Sequence, residues 1–163
     1  MVPSVHIDAM KAGDLGAVAA LEGPTPMNEA QLKEELARPW SRLWVAREHG
    51  EVVVAFLVSW HVADELHVLN IATREDRRRR GIGRALMDVV TAYARDQRVK
   101  HVLLEVRRSN GAAIALYRSV GFFAMGVRAK YYPDDEDAVE MVLMLDPATG
   151  AVVAHTDEVR LDG

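Results

Sequence analysis

An α/β fold, one domain around a mixed central sheet of about seven strands with flanking helices, is predicted by three observations. Residues 82–94 place apolar side chains at helical spacing. The apolar run Val102-Leu103-Leu104 follows that helix closely, and a strand-like segment at 66–73 precedes it. A strand–helix–strand succession implies parallel neighbours and a right-handed crossover. The length of 163 residues suits one domain, 1–146, with a peripheral C-terminal tail at 147–163.

The other elements follow from local signals. Residues 5–7 read as a first strand. Asp14 can cap a helix running to about Glu22, which Gly23-Pro24-Thr25-Pro26 would end. Asn28 and Gln31 have the spacing of a capping box and open a helix with Leu32 and Leu36 on one face, stopped by Pro39. Residues 43–47 and 52–62 read as two strands of a hairpin across His49-Gly50. In the long helix the apolar set is Ile82, Ala85, Leu86, Val89, Val90, Tyr93 and Ala94. Val102-Leu103-Leu104 shows no alternation, as in a strand buried on both faces. Residues 110–120 form another helix closed by Gly121, and 122–132 with 139–145 form a closing antiparallel hairpin.

Composition removes whole classes of chemistry. There is no cysteine, so disulfide scaffolds, cysteine-ligated metals and thiol catalysis are excluded. Six scattered histidines, His61 and His67 among them, lack tight metal-ligand spacing, so no metal site is expected. The longest uncharged stretch, 52–63, is too short to span a bilayer, and the N-terminus lacks the order of a signal peptide. A soluble, cytoplasmic protein is expected. The net charge is −4, yet Arg74, Arg77, Arg78, Arg79, Arg80 and Arg84 crowd together. A basic island in an acidic chain without interleaved aromatics points to one anionic ligand, not to a nucleic acid or a membrane.

That island holds Arg78-Arg79-Arg80-Gly81-Ile82-Gly83-Arg84, between a strand and a helix. Glycines there let successive N–H groups face an anion at the positive helix end. It is neither a Walker A loop nor the dinucleotide fingerprint; the bland alternative is a solvated arginine run. Glu105 ends the apolar run. Buried, it would be pushed towards a general base; at the wet end of its strand, or paired with Arg107, it would not. Asn110, Ala113, Ile114 and Tyr117 share a helical face that can bring the Asn110 amide and the Tyr117 hydroxyl to one cleft, although such a tyrosine is commonly core. Asp134, Asp135, Glu136 and Asp137 form either a solvated loop or an acidic lip that attracts basic peptides.

Arg78-x-x-Gly81-x-Gly83 resembles the cofactor loop of the GNAT superfamily of N-acetyltransferases, and Asn110-x-x-Ala113-x-x-Leu116-Tyr117-x-x-x-Gly121-Phe122 resembles its second cofactor motif. The resemblance implies an enzyme that takes acetyl-CoA as acetyl donor. It places the pyrophosphate on Arg78, Arg79, Arg80, Gly81, Ile82, Gly83 and Arg84, and the pantetheine arm along Ile71 and Thr73, with Asn110 and Tyr117 also at the cofactor. The thioester would lie where the 66–73 and 102–106 strands diverge. Leu69-Asn70-Ile71-Ala72, Leu104-Glu105-Val106-Arg107, Ala112-Ala113-Ile114-Ala115-Leu116-Tyr117 and Tyr131-Tyr132-Pro133 look like the bacterial RimI group. That likeness implies acetylation of the N-terminal alanine of a basic small-subunit ribosomal protein, with Glu105 as base and Tyr117 as acid. Residues 23–28 lack the aromatic Pro-Trp character of the group's acceptor-covering loop, so chemistry transfers better than acceptor identity. The alternatives are a lysine ε-amine, a broad set of N-termini, a small amine, or a non-catalytic acyl-CoA-binding module.

Overall fold

The computed structural model describes residues 5–21 and 26–161. Its strands are β1 (Val5–Ala9), β2 (Ser41–Glu48), β3 (Val52–Val62), β4 (Glu65–Thr73), β5 (His101–Arg107), β6 (Phe123–Arg128) and β7 (Ala138–Met144). Its α-helices are α1 (Leu15–Ala19), α2 (Glu29–Ala37), α3 (Ile82–Asp96) and α4 (Gly111–Val120). The strands form one mixed seven-stranded sheet in the order β1-β2-β3-β4-β5-β7-β6, so the α/β class holds. Contacts divide the chain into two units. The first runs through residue 62 and resumes at Val68–Val90; the second holds Ala63–His67 and the chain from Thr91 onwards.

In the first unit β1, β2 and β3 are an antiparallel ladder. His49 and Gly50 turn the β2–β3 hairpin, both at positive φ, 51° and 82°. The Asn28–Gln31 capping box forms: Gln31 N–H donates to Asn28 Oδ1 at 2.8 Å and Asn28 N–H to Gln31 Oε1 at 2.9 Å. Leu32 is then fully buried, in a core with Val18, Val45, Phe56 and Val58. Asp14 departs from the expected cap. Its carboxylate accepts from Arg47 at 2.7 Å and from the Lys11 N–H at 2.8 Å, and α1 begins without a side-chain cap. The Arg47 guanidinium outcompetes a helix N–H for a buried carboxylate and holds it below the usual range. The expected helix end at Glu22 and the turn at 23–25 lie outside the described residues.

In the second unit β5 and β6 both pair antiparallel with β7. The expectation that β5 is buried on both faces is corrected. Val102, Leu104 and Val106 are buried, whereas Leu103 is half-buried and Glu105 exposed. Side chains alternate along a strand, so Glu105 belongs to the face of Leu103 and Arg107. The predicted 122–132 strand stops at Arg128, and 129–137 is a loop with Lys130 and Asp135 at positive φ. Gly121 closes α4 at φ 116°, where an added Cβ would lie 3.1 Å from Leu143 and Val152. Beyond Asp146 the tail is fastened to the outer strand β6. Ala124 N–H donates to Asp157 Oδ1 at 2.9 Å, Glu158 N–H donates to the Ala124 carbonyl at 2.8 Å, and Arg118 pairs with Asp157 at 2.7 Å.

Candidate active site

The arginine-rich loop belongs to the first unit. After β4 a 3-10 turn, Glu75–Arg77, leads into extended backbone at Arg78, whose Nε donates to the Thr73 carbonyl at 3.1 Å. Arg79 and Gly81 have positive φ, 63° and 82°, and the first bond of α3 runs from Ala85 N–H to the Gly81 carbonyl. The first N–H groups of an α-helix have no preceding turn to bond to, and such a terminus suits an anion. Much of the basic charge is already committed. Arg74 pairs with Asp76 at 2.6 Å, Arg77 with Glu48 at 2.7 Å and Arg84 with Asp88 at 3.2 Å. The Arg77 hydrogen bond holds the Glu48 carboxyl below its ordinary value. Arg79 and Arg80 are exposed and have no side-chain partner among the described residues. Ile82 is 2 % exposed, so its side chain is core and only its backbone is left to meet a ligand. Ile71, Thr73 and Gly83 are half-buried.

Glu105 and Tyr117 lie in the second unit, and two tyrosines of the 129–137 loop stand at Glu105. The Tyr131 hydroxyl hydrogen-bonds to the Glu105 carboxylate, and this contact raises the Tyr131 pKa. Tyr132 stands edge-on to Tyr131, ring centres 5.1 Å apart, and is raised first by burial and then by the Glu105 charge. Tyr117 is 5 % exposed, its ring 5.8 Å from Phe122. Burial pushes its hydroxyl up to about 12, with Tyr132 adding to the rise. Such a phenol stays protonated throughout the neutral range, as a proton donor requires.

Arg107 does not pair with Glu105. It reaches Asp134 and Glu136, both at 2.9 Å, while Arg108 takes Asp137 at 3.0 Å. Three of the four acids are thereby tied to arginines at and just after the end of β5. Arg107 holds Asp134 below its ordinary value; Ser109 and then Arg107 do so for Glu136, and the Lys130 N–H and then Arg108 for Asp137. Asn110 is the N-cap of α4, its side-chain oxygen accepting from Ala113 N–H at 3.1 Å, so that oxygen is engaged in holding the helix. Sequence reasoning did not give Tyr131 and Tyr132 a role at Glu105. The available signal was their place in a loop opposite a strand carrying Glu105 and Arg107 two residues apart.

Residues 16–122 match the family described as acetyltransferase (GNAT). The chain belongs to this family. It is 36 % identical over 122 residues to the [ribosomal protein bS18]-alanine N-acetyltransferase of Escherichia coli, covering 68 % of this chain and 82 % of that one. It is 37 % identical over 136 residues to the N-alpha-acetyltransferase RimI of Mycobacterium tuberculosis, covering 78 % and 84 %. The crystal structure of the ribosomal-protein-S18-alanine N-acetyltransferase from Escherichia coli superimposes with a TM-score of 0.78 at 30 % identity, covering 96 % of this chain and 98 % of that one. The GNAT chain described here is an acetyl-CoA-dependent N-acetyltransferase. No helix among its described residues is long and apolar enough to cross a membrane.

Proposed function

We infer that this acetyltransferase modifies the N-terminal α-amine of a protein, alanine first, and that its acceptor is a basic small-subunit ribosomal protein. The observation that carries this reading is a set of residues in the second unit: the exposed Glu105 carboxylate with the Tyr131 hydroxyl upon it, and the buried Tyr117 phenol. It supplies a carboxylate and a protonated phenol, the two groups that amine acylation calls for. The relatives named for acetylating the alanine of ribosomal protein bS18 support the choice of acceptor.

Acetyl-CoA supplies an acetyl group activated as a thioester. Arg79 and Arg80, with backbone N–H groups at the start of α3, would hold its pyrophosphate, and the half-buried β4 residues Ile71 and Thr73 its pantetheine arm. An α-amine with a pKa of about 8 is mostly protonated at neutral pH, so its lone pair must be freed. Glu105 is exposed, so burial does not tune it as a base; in this reading it takes that proton by its position, directly or through water, where an incoming amine has access. Tyr117 gives its proton to the departing sulfur. The chain has no cysteine to carry an acetyl-cysteine intermediate, and in this reading the acetyl group passes straight to the amine while both substrates are bound.

The test is release of CoA from acetyl-CoA with a hexapeptide beginning Ala-Arg-Tyr, beside an N-terminally blocked copy containing lysine. Turnover on the free alanine terminus alone is expected. Turnover on the blocked lysine peptide would move the acceptor to a side-chain amine.

A further inference from the structure

Arg107 takes no part in the reaction above, yet more of the 129–137 loop converges on it than on any residue named there. One guanidinium nitrogen donates to both carboxylate oxygens of Asp134, at 3.0 and 2.9 Å, and to Glu136 at 2.9 Å. Its carbon lies 4.2 Å from the centre of the Tyr132 ring, within the range of a cation–π contact. The other oxygen of Glu136 accepts from Ser109 N–H at 2.8 Å, so the same carboxylate is bound from two sides. Arg107 also shares a β5 face with Glu105, two residues away. The loop is otherwise poorly suited to holding one conformation. It has two residues at positive φ, and Pro133 has no N–H to offer.

We propose that Arg107 is a positioning residue, which holds the Tyr131–Tyr132 pair beside Glu105 and so sets how the acceptor amine is presented. The inference rests on the functional reading above and goes beyond it, because that reading assigns Arg107 nothing. A planar guanidinium suits this work: its edge binds carboxylates while its face covers a ring. A lysine at the same position would keep the charge and lose the stacking.

The experiment compares wild type with Arg107→Met and Arg107→Lys in three readouts. These are kcat and KM for the free-alanine hexapeptide, calorimetric binding of acetyl-CoA, and cleavage after Lys130 by a lysine-specific protease. Lys130 opens the loop, its N–H bonded to Asp137 at 3.1 Å, so its cleavage reports loop loosening without reference to activity. For Arg107→Met, acceptor kcat/KM should fall about tenfold to a hundredfold, the loss expected when a reacting group is misplaced by about an ångström. Acetyl-CoA affinity should stay unchanged, cleavage after Lys130 should quicken, and Arg107→Lys should recover part of both changes. Wild-type kcat/KM in Arg107→Met overturns the proposal, and so does a loss matched by an equal loss of acetyl-CoA affinity. If the wild-type chain itself acetylates no N-terminus, the functional reading fails and takes this inference with it. That result is distinct from an active wild type beside an equally active variant.

Discussion

Two loops of this chain are dense in charge, and the structure treats them in opposite ways. In the first unit, arginines crowd the approach to α3; several are bound by Asp76, Glu48 and Asp88, and Arg79 and Arg80 remain exposed. In the second unit, Asp134, Glu136 and Asp137 are taken up by Arg107 and Arg108, and Asp135 alone of the four acids lacks an arginine partner among the described residues. A run of like charge in a sequence therefore states how much charge is present, not how much is available. Availability depends on partners far along the chain. Exposed ion pairs contribute little stability each, about 0–1 kcal/mol, so the pairs at 134–137 matter more for fixing a loop than for holding the fold. One loop is left open for an anion. The other is fastened to Arg107 and Arg108, and what it presents is two tyrosines.

The largest effect should come from the buried Tyr117. Tyr117→Phe should lower turnover about a hundredfold or more, the usual contribution of a general acid, with acetyl-CoA affinity unchanged. Steady-state kinetics beside calorimetry separate the two quantities, and equal turnover in the two proteins would remove Tyr117 from the acid role. A middling effect is expected from Asp134→Asn, Glu136→Gln and Asp137→Asn together. Acceptor kcat/KM should fall about tenfold because the loop loses its anchors, the consequence of misplacing reacting groups. Its dependence on salt should match wild type, since those carboxylates are already paired. A flattened salt dependence would instead mean that the acids act as a lip for basic peptides, and the contrast between the loops would break.

The smallest effect lies in alkaline stability. The Tyr117 hydroxyl is raised to about 12 in the folded chain, against an ordinary value of 10.0. Between these values the unfolded chain gives up the proton and the folded chain keeps it. Folding stability from this group is thus full below 10 and is lost as pH rises towards 12. Denaturant unfolding of wild type across that range should show a decline that Tyr117→Phe lacks.

Much of the fold was legible because its signals are local. The Asn28–Gln31 box spans four residues, the α3 periodicity spans one helix, and Gly121 sits at the αL position it favours. The misreadings share the opposite cause. Asp14 was diverted by Arg47, 33 residues away in sequence, and Arg107 was claimed by Asp134 across 27 residues. At β5 the three apolar residues in a row concealed an alternation that Val102, Leu104 and Val106 against Leu103, Glu105 and Arg107 already carried. The face of Glu105 was therefore readable, and its partner Tyr131 was not, because only the folding of the 129–137 loop brings that hydroxyl to it.

The contrast between an open and a fastened charged loop is tested most directly by the affinity for acetyl-CoA along a salt series, in wild type and in Arg79→Ala/Arg80→Ala. Charges exposed to solvent are screened as ionic strength rises. If these two arginines meet the phosphates, wild type should bind more tightly at low salt and weaken steeply as salt increases. The double variant should start weaker and change little, the two converging at high salt. Parallel lines of equal slope would contradict the account, because the open charge of the first loop would then play no part in holding the donor.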